Sequence, residues 1–350
     1  MCQIVKIITF LGCLREPYEE KFGRIPRPMS MIRNRLSLVY RGVSIIYILI
    51  LYHNYIEPLH TDTMDPPDFS SAVLEPVFYG GSERKTGVRI GKQRYIMKYR
   101  TMSEFGPRFN HVSEHLGSRI FSLLGIESQG TQLGTYRGEE VVLCRNFLGE
   151  GEQFVPFNDV GESSLDTDSE HHRYTYGEIV HLIEANRKLT DVADTRERFW
   201  DIFVVDALLG NFDRHGGNWG FVKKDNRYRL SPVFDNGSCL FPQMNSEEEM
   251  LNIIGSPELT DDRVYRFPTS QIKLDGRKSS YHEVIGSLGF PECNDALRRI
   301  VPRIDLGSIS ELVDGTCFIT DIHKQFYKHM IRNRYEKILL SSLERLEAES

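Results

Sequence analysis

The sequence has little of what would mark a disulfide-built, metal-finger, membrane-spanning or nucleic-acid-coating protein. Its six cysteines, Cys2, Cys13, Cys144, Cys239, Cys293 and Cys317, are scattered over 350 residues. They form no C-x-x-C pair and have no histidine at zinc-finger spacing. That excludes a disulfide framework and fits buried thiols in a reducing compartment. A bilayer-spanning helix needs roughly 20 apolar residues. The nearly unbroken apolar run Val43–Tyr52 covers ten and is bracketed by Arg41 and His53, so no transmembrane span is expected. Charge of one sign is also scarce. The formal net charge of −6 gives no basic excess for coating nucleic acid, and no nucleic-acid partner is expected. What remains is an ordinary globular composition, 40% hydrophobic and 26% charged, long enough for one bilobal domain or two cores.

Composition shifts near residue 60. Residues 1–60 hold eight Lys/Arg against four acids. Asp65-Pro66-Pro67-Asp68 reads as an extended linker, because each proline removes a donor and biases its predecessor away from helix. Residues 1–68 are therefore set apart as an N-terminal extension. Val43–Tyr52 reads as a buried strand or short core helix, as a membrane-surface segment, or as part of an upstream translated stretch if Met64 is the true start. No small-residue cleavage site follows it soon enough for a signal peptide.

From Leu74 to Tyr99 the pattern is strand, turn, strand. Val77-Phe78-Tyr79 leads into Gly80-Gly81-Ser82-Glu83-Arg84-Lys85. Val88, Ile90, a turn at Gly91-Lys92-Gln93 and the alternating Tyr95–Tyr99 complete a hairpin. Glycines let backbone N–H groups approach phosphate oxygens, although Gly80-Gly81 alone reads equally as a plain turn. Lys98 shares its strand face with Ile96. It either snorkels to solvent or contacts nucleotide phosphates and pairs with a helix glutamate. Val112, Leu116, Ile120, Leu123 and Leu124 recur at helical spacing before Gly125, and Glu114 lies on that helix.

Asp194-Thr195-Arg196-Glu197 reads as a capping box opening a helix that is apolar nearly all round from Phe199 to Leu209, hence buried. Gly210 stops it, and Asn211-Phe212-Asp213-Arg214-His215-Gly216-Gly217-Asn218 follows. An aspartate followed five positions later by asparagine is the spacing of a kinase catalytic loop. In that chemistry Asp213 orients the attacking hydroxyl and takes its proton, and Asn218 offers an amide oxygen to Mg²⁺. Asp235-Asn236-Gly237 then has the D-x-G form of a metal-binding turn. Each signal alone is weak; Lys98, Glu114, Asp213, Asn218 and Asp235 in this order are not. His215 lacks the partners a zinc site needs.

The run Trp200–Phe221, with Phe234–Leu240 and Pro302-Arg303-Ile304-Asp305, resembles the HipA-like kinases, especially their short cell-translocating kinase A branch, over roughly residues 69–340. The resemblance implies an α+β, two-lobed protein-kinase-like fold, with a small β-rich lobe at 69–148 and a larger, mainly helical lobe at 149–345. It implies ATP and Mg²⁺ as cofactors and a protein serine or threonine as acceptor. It carries Lys98 to the nucleotide phosphates, Glu114 to the ion pair, Asp213 to catalytic base, and Asn218 and Asp235 to the metal. It places Gly80, Gly81 and Ser82 at the phosphates and the adenine near the connector Leu143–Leu148, with Arg145 and Phe147 among its neighbours. It also makes Ser82 the candidate for autophosphorylation. Residues 1–68 do not resemble the region that links the family's toxin members to an antitoxin, so such a partner is not expected. The loop after Gly81 also departs from the family, reading Ser-Glu-Arg-Lys where a second cluster of small residues belongs.

Two other readings stay open. An aminoglycoside-type small-molecule kinase shares the D-x-x-x-x-N loop, and the acids of 159–170 could supply its acceptor pocket. A pseudokinase would bind nucleotide without transfer, but none of the five key residues is missing. Asn158–Tyr174 reads as a polar surface loop, and Ile319, Ile322, Phe326, Ile331, Ile338 and Leu339 as amphipathic helix. The cytoplasm is the expected location, with delivery into a host cell the alternative that the family branch suggests.

Overall fold

Alternation of apolar and polar residues builds the first half of the molecule. A computed structural model describes residues 65–77, 83–160, 175–185, 192–274 and 277–349, all within one compact unit, Asp62–Ser350. The run Val43–Tyr52, the glycines Gly80 and Gly81, Ser82, and most of the acidic 158–174 stretch lie outside the described residues.

Strands β1 (Val73–Glu75), β2 (Lys85–Ile90) and β3 (Gln93–Tyr99) form an antiparallel meander. The minor strands β4 (Met102–Ser103) and β5 (Gly106–Pro107) follow. Helix α1 (Asn110–Leu123) leads to β6 (Thr131–Tyr136) and β7 (Glu139–Arg145). The sheet order is β1-β2-β3-β7-β6. Because successive side chains face opposite ways, Met97, Tyr99, Val141 and Leu143 fill a small outer core with Phe69 and Val88. Ile96, Val142 and Cys144 face the main core with α1.

Two expectations change here. Leu123, counted on the apolar face of α1, is exposed, while Val112, Leu116, Ile120 and Leu124 are buried. The Asp65–Asp68 segment is extended as expected but is not a free linker. The Phe69 N–H donates to the Thr135 carbonyl at 2.7 Å and the Thr135 N–H to the Pro67 carbonyl at 2.9 Å. Gly134 makes this possible, since a Cβ there would lie 2.4 Å from the Pro67 oxygen and 2.3 Å from the Phe69 ring.

After the connector, β8 (Gln153–Pro156) pairs with β9 (Gly220–Lys224), which pairs with β10 (Arg227–Leu230). Between β8 and β9 lie α2 (Phe157–Val160), α3 (Tyr176–Ala185) and α4 (Val192–Leu209). Helix α4 is the buried axis of the helical half: Val204, Val205, Ala207, Leu208 and Leu209 have no exposed surface. It begins two residues before Asp194, which sits in its first turn where a carboxylate favours the helix dipole. Around it pack α5 (Glu247–Gly255), α6 (Pro257–Tyr265), the hairpin β11 (Thr269–Leu274) and β12 (Arg277–Ser280), α7 (Tyr281–Gly286), α8 (Pro291–Ile300), α9 (Leu306–Asp314), α10 (Asp321–Arg334) and α11 (Ser341–Ala348). Phe326, Ile331, Ile338 and Leu339 are buried as their periodicity requires. A β-rich half followed by a helical half is the α+β order expected. Among the described residues no helix is long and apolar enough to cross a membrane.

The strap at 65–69 is part of the fold. Gly134→Ala is expected to lower stability by about 1–3 kcal/mol, the cost of overpacking, measured by denaturant unfolding. An unchanged midpoint would mean the strap is dispensable.

Candidate active site

Lys98 stands near the end of β3, opposite Val142 of β7, and is only 8% exposed. Snorkelling is therefore ruled out, and its ammonium needs partners inside. It has two: Nζ donates to Glu114 Oε2 at 2.8 Å and to Asp235 Oδ1 at 2.7 Å. Burial, the strongest influence, pulls the lysine pKa down, yet the two carboxylates outweigh it and hold it well above the ordinary value. Glu114 is fully buried on α1, and its other oxygen accepts the Asn236 N–H at 3.1 Å. One glutamate thus clamps the sheet lysine and the D-x-G turn together. Gly117, one helical turn on, allows the close approach: a Cβ there would lie 2.7 Å from Asn236 Cβ.

Asp235 occupies the left-handed region, φ 57°, which aspartate tolerates better than most residues. Burial pushes its carboxyl up, but Lys98, Lys85 and Arg214 turn the balance, and the group stays below the usual aspartate range. It is therefore ionised at neutral pH. The segment before it is pinned by the chain after α1: the Val233 N–H donates to the Glu127 carbonyl, and the Gln129 N–H to the Val233 carbonyl.

The loop after α4 is held by a residue the sequence reading passed over. Arg214, its side chain 9% exposed, grips Asp206 of α4 through Nε and Nη2, both at 2.9 Å. Nη2 also donates to Asn236 Oδ1 at 2.6 Å, and Nη1 to the carbonyls of Phe234 and, at 3.3 Å, Asn218. Burial opposes its charge, but Asp206 more than compensates and raises its pKa. Asn236 in turn donates to Ser118 Oγ on α1 at 2.9 Å. Asp206 also accepts from Asn211 Nδ2, and Asn211 Oδ1 accepts the Asp213 N–H. Tyr281 Oη and Gln271 Nε2 close the loop from outside, donating to the carbonyls of Asn211 and Phe212 at 2.6 Å each. The only hint in the sequence was an acid and an arginine eight residues apart on either side of Gly210, a spacing with no fixed geometry across a helix end.

Asp213 and Asn218 share this loop. Asn218 Nδ2 donates to the Asp213 carbonyl at 2.7 Å, which leaves the amide oxygen as the ligand-capable end. Burial pushes the Asp213 carboxyl up, His215 pulls it down and Asp235 pushes it up again, for a net rise. His215 Nδ1 accepts the Gly217 N–H at 3.0 Å. Among the described residues no three His, Cys, Asp or Glu side chains form a metal-binding group. Asp235 and Asn218 supply two hard oxygens, which suits a cation that keeps water and phosphate as its other ligands.

Beyond the site lies an aromatic trio: Phe147 of the connector, Phe154 of β8 and Phe234 beside Asp235, with ring centroids 5.0–6.2 Å apart. Arg145 is not part of it. Its side chain is exposed and donates to Gln93, and its N–H and carbonyl are both engaged, with Gly130 and Gln129. The structure thus joins Lys98, Glu114 and Asp235 directly, and ties the loop of Asp213 and Asn218 to them through Arg214 and Asn236.

The clasp makes a stability prediction. Lys98→Met removes the cation between two carboxylates, one fully buried, and is expected to cost about 3–5 kcal/mol in denaturant unfolding. The variant should lose less at acid pH, where the stranded carboxylates protonate. A loss under 1 kcal/mol would contradict the arrangement.

Residues 77–289 match the HipA-like C-terminal domain. The chain is 32% identical over 281 residues to the serine/threonine-protein kinase CtkA of Helicobacter pylori, covering 78% of this chain and 86% of that protein. The crystal structure of the Helicobacter pylori proinflammatory kinase CtkA superposes with a TM-score of 0.74 at 31% identity, over 80% of this chain and 98% of that one. HipA of Shewanella oneidensis, solved with HipB and operator DNA, has a TM-score of 0.50 at 16% identity over 87% of this chain and 74% of that one, a likeness of fold alone.

Proposed function

Because the chain belongs to the HipA-like C-terminal domain family, we propose that it is a protein serine/threonine kinase using ATP and Mg²⁺. The observation that carries this reading is the Lys98 ammonium held at 2.8 and 2.7 Å between Glu114 and Asp235, a positioned cation beside an ionised aspartate. A phosphate-binding lysine, its helix glutamate and a metal-binding aspartate stand in this relation in protein kinases.

In this reading Lys98 neutralises nucleotide phosphate, and Glu114 fixes where that charge sits. Asp235 and Asn218 hold Mg²⁺, which when bound offsets charge on the phosphate oxygens. Asp213 orients the acceptor hydroxyl and takes its proton as the new O–P bond forms and the bond to the ADP oxygen breaks. Its raised pKa makes it a better base than an ordinary aspartate. The base of the nucleotide lies by the connector, with Phe147 and Phe234 offering apolar ring faces. Ser82 is the autophosphorylation candidate and Gly80 and Gly81 the phosphate loop. A protein with a serine or threonine acceptor is the partner, and no antitoxin is invoked. A cytoplasmic protein, or one delivered into a host cell, is compatible with this chemistry.

Transfer of labelled γ-phosphate from ATP tests it. Wild-type protein is expected to label itself, at Ser82 on phosphopeptide mapping, or a generic protein, while Asp213→Ala and Asp235→Ala are silent. The rate should fall as pH drops, with a midpoint above the ordinary aspartate value because protonation removes the base. ATP binding without protein labelling would overturn the reading in favour of a small-molecule kinase or a pseudokinase.

A further inference from the structure

Arg334, the last residue of α10, is only 1% exposed. None of the carboxylates among the described residues pairs with it. Its partners are backbone oxygens. Nε donates to the Ala207 carbonyl at 2.6 Å, and Nη1 to those of Arg263 at 2.8 Å and Val264 at 3.4 Å. Ala207 lies in the last turn of α4, and Arg263 and Val264 in the last turn of α6. The C-terminus of a helix leaves carbonyls without helical donors and carries the negative end of the dipole. One guanidinium therefore closes two helices at once.

As a source of stability the arrangement is poor. Burial pulls the Arg334 pKa down to about 10, and Tyr281 restores only part of the loss. Nη2 has no hydrogen-bond partner among the described residues, and an unsatisfied buried donor is itself destabilising. The chain also departs from the α-helix directly after Arg334. Tyr335–Leu340 is a π-helical stretch with Ile338 and Leu339 fully buried, an irregularity frequent at functional sites.

The contacts of Arg334 converge on the start of the loop that carries Asp213. The last turn of α4 is gripped twice, by Arg334 at the Ala207 carbonyl and by Arg214 at the Asp206 carboxylate. Gly210 follows at φ 63° and lies against the same group. A Cβ there would be 3.5 Å from Arg334 Nε and 3.2 Å from the Pro268 ring. The Asn211 N–H folds back to the Asp206 carbonyl at 3.0 Å. The Tyr281 ring, 5.8 Å from the Arg334 guanidinium, carries the hydroxyl that donates to the Asn211 carbonyl.

We propose that Arg334 is a positioning residue for phosphoryl transfer. By closing α4 and α6 on one guanidinium, it fixes the point at which the loop of Asp213 leaves α4. Buried behind that loop, it reaches neither nucleotide nor acceptor, so its effect falls on transfer and not on nucleotide affinity. The inference rests on the reading of Asp213 as the base.

Transfer of labelled γ-phosphate from saturating Mg²⁺-ATP tests it, with calorimetric affinity and melting temperature for each variant. Arg334→Met keeps the reach of the side chain without its charge or donors. It is expected to bind Mg²⁺-ATP as wild type does. Its transfer should be about a hundredfold slower, the effect of a displacement of about 1 Å in a catalytic group. Gly134→Ala, destabilised at the strap, should keep the wild-type rate below its melting temperature, which separates placement from stability. Arg334→Lys keeps the charge and meets fewer carbonyls, so its rate should fall between wild type and Arg334→Met. If Arg334→Met does not fold, Arg334→Lys decides: slower transfer at unchanged affinity supports the proposal, and a wild-type rate overturns it. A wild-type rate in Arg334→Met also overturns it, as does parallel loss of affinity and transfer, or equal slowing in Gly134→Ala. Wild-type protein that binds Mg²⁺-ATP and transfers nothing overturns the kinase reading, and the positioning role with it.

Discussion

A lysine ammonium buried at the end of a β-strand cannot stand without anions, and the arrangement around Lys98 follows from that requirement. Its carboxylates come from separate parts of the chain, Glu114 from α1 and Asp235 from a turn 137 residues beyond Lys98. Satisfying one charge therefore fixes the sheet, the helix and the turn relative to one another. The second oxygen of Glu114 is used on the Asn236 N–H, so the turn is held through its backbone as well as its carboxylate. Such a triad costs desolvation and is poor value as a source of stability alone. Its worth lies in placing an ionised aspartate, its side chain 35% exposed, beside a nearly buried cation.

Arg214 performs the equivalent task on the helical side. Its guanidinium spends its donors on Asp206, Asn236 and the carbonyls of Phe234 and Asn218. Asn236 is the shared element, accepting from Arg214, donating to Ser118 and giving its N–H to Glu114. The loop that carries Asp213 is thus linked to Lys98 by a continuous run of hydrogen bonds. A planar fork suits this role and a lysine would not, because several directions must be met at once. Positions in that run are expected to act together rather than independently.

Much of this was legible in the sequence because spacing carries it. The order of Lys98, Glu114, Asp213, Asn218 and Asp235, the apolar α4 ending at Gly210, and the alternation in β3 each reflect a local period. The α+β order followed from the same patterns. Arg214, Asp206 and Asn236 were not singled out as ligands of one another, because their contacts depend on how the chain returns after α4 and β10. Leu123 shows the limit of periodicity: it has the right spacing, yet it is exposed while Ile120, Phe121 and Leu124 of the same turn are buried. The strap at Asp65–Phe69 reads as a linker by composition, and only the absence of a side chain at Gly134 reveals that the sheet has room for it. The phosphate loop at Gly80–Ser82 falls outside the described residues, so its part in the site rests on the family resemblance.

The most direct test of the account is a double-mutant cycle between Lys98→Met and Glu114→Gln, read as the dissociation constant for Mg²⁺-ATP. If Glu114 serves nucleotide binding by positioning Lys98, each single variant weakens binding and the double variant is scarcely worse than Lys98→Met. If the two losses simply add, the residues act independently, and the clasp is not what organises the site.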